Sequence, residues 1–195
     1  MSLRRRLAIL VIGLAGSAGL ATGTSVRTAE AATGGAGCEL NGTATLTPGL
    51  STTSQSFAYT FSGTLSNCAS SSGAPSGGTV FAGVDPNGQV ETTGHPAGSG
   101  SCASSTTSGI AVALFNDGST AVISYTTSGS GPAVELSGTA GGSVSFGTDT
   151  YTTSAQWSGD TSTAALTFQP ASGQDCVTTP VTNATIAGAT TLGAA

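Results

Sequence analysis

The chain has 195 residues, with four Lys plus Arg against nine Asp plus Glu, a net charge of −5, and 30 glycines. Its basic residues are Arg4, Arg5, Arg6 and Arg27. Beyond Arg27 there is no permanent positive side chain, which excludes nucleic acid and anionic membranes as partners, and with them Lys Schiff bases, phosphate loops and arginine clamps, since all draw on Lys or Arg.

Met1–Arg6 carries three arginines, Leu7–Ala21 is an apolar run of secretory length, and Ala29-Glu30-Ala31 offers a small-x-small cleavage site. Residues 1–31 therefore read as a signal peptide cut after Ala31. A spanning helix needs about 20 apolar residues, and this run is shorter and interrupted by glycine. Removing residues 1–31 from the 195 leaves 164, the size of one domain, with five Asp, three Glu and no basic residue. The expectation is a secreted, extracellular, acidic monomer. Leu, Ile, Val and Phe supply only 26 of those 164 residues, so the core must be thin.

An exported chain keeps disulfides, and Cys38, Cys68, Cys102 and Cys176 form an even set. Three pairings exist, of which Cys38–Cys68 with Cys102–Cys176 is preferred because the first pair bounds a candidate hairpin. With no CxxC spacing and one histidine, a metal centre is disfavoured.

In chain order, residues 32–37 read as a flexible lead-in to a single domain over 38–193. Leu40, Gly42, Ala44 and Leu46 alternate with polar residues, the period-two signature of a half-buried strand, and Pro48-Gly49 is expected to break it. Phe57, Tyr59, Phe61 and Leu65 repeat the pattern more strongly. Ala69–Gly78 is a Ser/Gly loop. Thr79–Val84 and Gln89–Thr93 flank Asp85-Pro86-Asn87-Gly88, a hairpin turn, and Ile110–Phe115 and Thr120–Thr127 flank a second turn at Asn116-Asp117-Gly118. Further strands are expected at Ala133–Ser137, Ser143–Phe146, Tyr151–Trp157, Thr163–Phe168 and about Val181–Ala189. No apolar 3.6-residue period persists, and no fixed repeat length is visible. Short strands at this spacing predict an all-β fold, an antiparallel β-sandwich or partly open barrel.

The runs CELNGTATLTPGL, SFAYTFSGTLSNC (Ser56–Cys68), GSGSC, FNDGST and DCVTTPVTNATIAG resemble a recurrent type of small secreted actinobacterial β-protein. The likeness implies export and an all-β domain and brings no activity with it.

No catalytic, cofactor-binding or metal-ligating set stands out. His95 is the only side chain titrating near neutrality, but Gly94-His95-Pro96 sits in a Gly-rich stretch and no Gly-x-Ser-x-Gly elbow exists. Asp85, Asp117, Asp149, Asp160 and Asp175 fall in turns, where Asp caps backbone N–H groups, and Glu39, Glu91 and Glu135 are expected on solvent faces. Asp85, Asn87, Gln89 and Glu91 alternate like a calcium loop, yet Val90 and Pro96 occupy the Gly and Glu positions of the EF-hand pattern. Trp157 with Tyr59, Tyr125 and Tyr151 offers either a sugar-stacking platform or core. Tyr151, Ala155 and Trp157 are expected on one strand face, with Trp157 the largest core element. The leading expectation is a non-enzymatic extracellular domain, without cofactor, whose partner is another protein, a glycan or a small apolar ligand. A carrier for an apolar or aromatic ligand and a carbohydrate-binding module are the alternatives. Of these, the carrier predicts a hydrophobic pocket lined by several of Phe57, Phe61, Phe81, Phe115 and Trp157.

Overall fold

The computed structural model describes residues 35–69 and 75–193. The expected signal peptide, most of the lead-in and the centre of the Ser/Gly loop lie outside them. The described strands are β1 (Ala36–Leu50), β2 (Gln55–Ala69), β3 (Gly78–Ala82), β4 (Ala97–Gly100), β5 (Ser104–Phe115), β6 (Thr120–Ser130), β7 (Ala133–Ala140), β8 (Ser143–Phe146), β9 (Asp149–Thr152), β10 (Thr161–Pro170) and β11 (Val181–Leu192). A single 3₁₀ turn spans Ala155–Trp157. Among the described residues no helix is long and apolar enough to cross a membrane.

The chain closes into an eight-stranded antiparallel barrel rather than a sandwich. Neighbouring strands run β1, β2, β3, β5, β6, β7, β10 and β11, and β11 pairs back onto β1. One position in the wall is a broken strand. β3 pairs with the ends of β2 and β5 near Leu65 and Phe115, while β4 pairs with the same two strands near Gln55 and Ser105. Among the described residues closure leaves the barrel wall without an open end to its strand order, which is how an antiparallel fold of long strands avoids edge-to-edge association. Strand number and spacing are shared by sandwiches and barrels, so only the β1–β11 pairing distinguishes them.

The inward face of each wall strand is written in period two. On β1 it is Cys38, Leu40, Gly42, Ala44 and Leu46, and on β2 Phe57, Tyr59, Phe61, Gly63 and Leu65. Small residues sit opposite large ones. A Cβ on Gly42 would lie 2.6 Å from the Phe61 ring, so the β1 glycine is what lets that aromatic lie across the barrel.

Two regions differ from expectation because the pairing partner overrides local signals. β1 does not stop at Pro48-Gly49 but absorbs them in a register shift between Thr45 and Leu50. β1 also begins at Ala36, inside the expected lead-in. Gln89–Thr93 forms no strand and makes only single bridges, Val84 to Val90 and Glu91 to Phe146. The expected strand Tyr151–Trp157 ends at Thr152. Ala155 is exposed while Trp157 is buried, and Tyr151 packs in a different cluster. The structure adds β4 and the polar first half of β5, which the sequence reading leaves as loop.

Both preferred disulfides form, Cys38–Cys68 and Cys102–Cys176, with Cα separations of 4.0 and 6.3 Å. They staple opposite ends of the barrel. The first joins the start of β1 to the end of β2, and the second ties the β4–β5 turn to the loop before β11.

Candidate functional site

The barrel interior is closed by a floor at its Cys38 end and hollow above it. At the Cys38 end, Trp157 stacks against Phe115 with centroids 5.2 Å apart and donates its indole N–H to Ser119 Oγ at 2.9 Å. Leu40, Leu65, Ala164 and Leu192 complete this floor. Towards the other end Leu46, Leu50, Phe57 and Val181 form a second cluster. Tyr59, Phe61 and Ile186 touch both clusters, yet each remains only partly buried although it points inward. The surface they expose faces a lumen of about 180 Å³. Its lining is mainly apolar, and it continues to Ser104 and Gly131, exposed residues at the Cys102 end. Among the described residues no charged side chain lines it.

One chain of hydroxyls interrupts the apolar wall. Tyr59 and Tyr125 place their phenol oxygens 2.6 Å apart, Tyr59 also lies 3.0 Å from Thr107 Oγ1, and Thr107 lies 2.7 Å from Thr127 Oγ1. All four residues line the lumen. Glycines make the arrangement possible. Gly98 of β4 stands between Phe57 and Thr107, and a Cβ there would meet Thr107 at 2.7 Å and Phe57 at 2.8 Å. A Cβ on Gly109 would lie 2.9 Å from the Tyr125 hydroxyl and 2.8 Å from Pro96. Burial raises the Tyr59 phenol, only partly offset by the hydrogen bonds from Thr107 and Tyr125. It raises Tyr125 further, with the Tyr59 contact and the Glu91 charge adding to it. Both phenols therefore stay neutral donors and acceptors throughout the physiological range.

A second polar group lies outside the wall, where the excursion between β3 and β4 meets the β8–β9 hairpin. The hairpin covers the outward side chains of Phe81, Val112 and Val122 with Val144 and Phe146, and Phe81, Phe146 and Tyr151 form an edge-to-face trio. Asp85 accepts the N–H groups of Asn87 at 2.9 Å and Gln89 at 2.8 Å through one oxygen, and the Tyr151 hydroxyl at 3.0 Å through the other. Burial alone would raise this carboxyl, but these donors outweigh it and hold it below the usual range. Tyr151, buried against a carboxylate, is pushed up to about 12. The alternating oxygens of this segment are thus engaged in a turn, and Asn87 donates its side-chain N–H to Asp149. Asp117 and Asp175 cap backbone N–H groups of their own turns in the same way.

Glu91 departs from the solvent-face expectation. It is 5 % exposed; Oε1 accepts the Thr93 hydroxyl at 2.8 Å, and among the described residues Oε2 has no partner. Burial raises its pKa, opposed by Thr93 and by the nearby His95. Glu39 and Glu135 are exposed, as is His95 itself. Among the described residues no three His, Cys, Asp or Glu converge on a common point.

Of the five aromatics tied to a ligand pocket, Phe57, Phe61 and Phe115 line the lumen, whereas Phe81 lies outside the wall and Trp157 is buried in the floor. Sequence reasoning misses Thr107 and Thr127 entirely. Their strands are rich in Ser and Thr on both faces, and only barrel closure makes one face interior. No protein-family model, curated protein or solved structure matches the chain.

Proposed function

We propose that this chain is an exported, non-enzymatic binding domain that carries a small, mainly apolar ligand inside the barrel. The observation that supports this reading is the lumen itself: hollow, lined by Phe57, Phe61, Val134, Leu136 and Ile186, uncharged, and marked by one chain of hydroxyls. A close-packed eight-stranded barrel fills its interior with side chains, whereas one that leaves room holds a single small ligand. An apolar cavity of about 150 Å³ accommodates benzene, which sets the scale here at one ring with a short substituent.

The sugar-binding alternative needs a platform of exposed aromatics, and among the described residues every aromatic side chain is buried or half-buried. A hydrophobic protein-docking face is equally unsupported, since the large exposed hydrophobics there are Val90 and Val177.

Native mass spectrometry of protein from the host's culture supernatant, followed by thermal shifts with neutral single-ring compounds, tests the proposal. A retained small molecule is expected, and a ligand at 100 times its Kd adds about 2.7 kcal/mol, raising Tm by roughly 5–10 °C. Apoprotein mass alone, together with no stabilisation by any neutral ring compound, would overturn it.

A further inference from the structure

Four hydroxyls joined in a line by three hydrogen bonds carry four hydrogens and spend three. Whichever way the bonds in the chain Tyr125–Tyr59–Thr107–Thr127 point, one O–H is left over. Among the described residues no other acceptor takes it. The four hydroxyls are part-buried and line the lumen, where a donor left facing an apolar wall is costly, so the lumen favours an occupant that brings an acceptor. The surrounding wall is apolar, and among the described residues no cation lines it to neutralise an anion.

We propose that the ligand class is a neutral, single-ring molecule bearing one hydrogen-bond acceptor, such as a carbonyl oxygen, which receives this surplus hydroxyl hydrogen while its ring lies against Phe61, Leu136 and Ile186. This rests on the lumen-binding reading and adds the polarity and charge of the occupant. Anionic analogues are rejected because burying a carboxylate here leaves it without a counter-charge. The Tyr59–Tyr125 phenols cannot supply one.

The probes are acetophenone, its near-isostere cumene, and benzoate at pH 7, each titrated into the wild type and into a Tyr59→Phe/Thr107→Val/Tyr125→Phe/Thr127→Val variant. Replacing every member of a hydrogen-bonded set by apolar groups of similar shape is nearly neutral for folding, and cumene binding reports that the variant's lumen is intact. The wild type is expected to favour acetophenone over cumene about 3- to 10-fold, the worth of one neutral hydrogen bond, and to leave benzoate unbound. In the variant the preference should vanish. Equal affinities in the wild type, a preference that survives in the variant, or tight benzoate binding would overturn the ligand class while leaving lumen binding in place. If the wild type binds none of the probes, the lumen reading itself fails. Should the variant not fold, the infrared carbonyl stretch of acetophenone on the wild type decides. A shift to lower wavenumber than in cyclohexane supports the donor, and an unshifted band overturns it.

Discussion

Deleting the Cys102–Cys176 bridge, as the Cys102→Ala/Cys176→Ala variant, tests how far this thin-cored barrel depends on covalent closure. The bridge joins positions 74 residues apart, the loop before β11 to the β4–β5 turn at one end of the barrel. On the chain-entropy model, closing a loop of that length restricts the unfolded chain by about 4.4 kcal/mol, against about 3.6 kcal/mol for the 30-residue Cys38–Cys68 loop. Both Cys102 and Cys176 are half-buried, so truncating them to Ala adds little cavity cost. Urea unfolding of the variant should show a loss of about 3–4.5 kcal/mol, and a larger m-value because the denatured chain expands when the cross-link is gone. In a domain of this size that loss lowers Tm by roughly 6–18 °C. A loss under about 1 kcal/mol, or an unchanged m-value, would refute the view that the bridge acts through the unfolded chain.

Three further outcomes follow from particular side chains. Trp157→Ala removes the floor of the barrel, its contact with Phe115 and its bond to Ser119; it should cost about 3–5 kcal/mol in urea unfolding, and a loss below about 1 kcal/mol would place the floor elsewhere. Burial raises the Glu91 pKa above its ordinary 4.5, so its ionised form opposes folding at neutral pH and the penalty disappears as pH falls below that ordinary value. Glu91→Gln should therefore be more stable than wild type by about 1 kcal/mol at pH 7 and no more stable at pH 4, whereas a pH-independent difference would contradict the assignment. All three tyrosines are raised, so above pH 10 the unfolded chain loses phenolic protons that the fold retains. Stability should then fall with rising pH, by about 1.4 kcal/mol per unit from Tyr125 alone, and absorbance titration near pH 10 should show less tyrosinate in the folded protein than in the unfolded chain.

The parts of this structure legible in the sequence are those where one face meets the interior and the other meets water. β1 and the Phe57–Leu65 stretch of β2 read directly in period two, and both turn sequences, Asp85–Gly88 and Asn116–Gly118, fall where Asp and Gly place them. The run Ile110–Phe115 is apolar on every residue because it is covered twice. Ala111 and Ala113 face the lumen, and Val112 sits beneath the β8–β9 hairpin with Ile110 and Leu114 alongside. Without the hairpin's position that double coverage has no local signature. The hydroxyl chain was illegible for the opposite reason. Thr107 and Thr127 look like solvent-face residues of polar strands, and only the β11–β1 closure turns one face inward. Glu91 reads as a solvent-face residue only if its segment is a strand with an outer face, whereas the segment is a loop pinned to Phe146.

The central claim, that the barrel lumen is an apolar binding site, is tested most directly by nuclear Overhauser contacts between bound acetophenone or cumene and the protein's methyl groups. The account predicts contacts from the ligand ring to Val134, Leu136 and Ile186, and none to the exposed methyls of Val90 and Val177. Contacts confined to those exposed methyls, or no saturable binding at all, would contradict it.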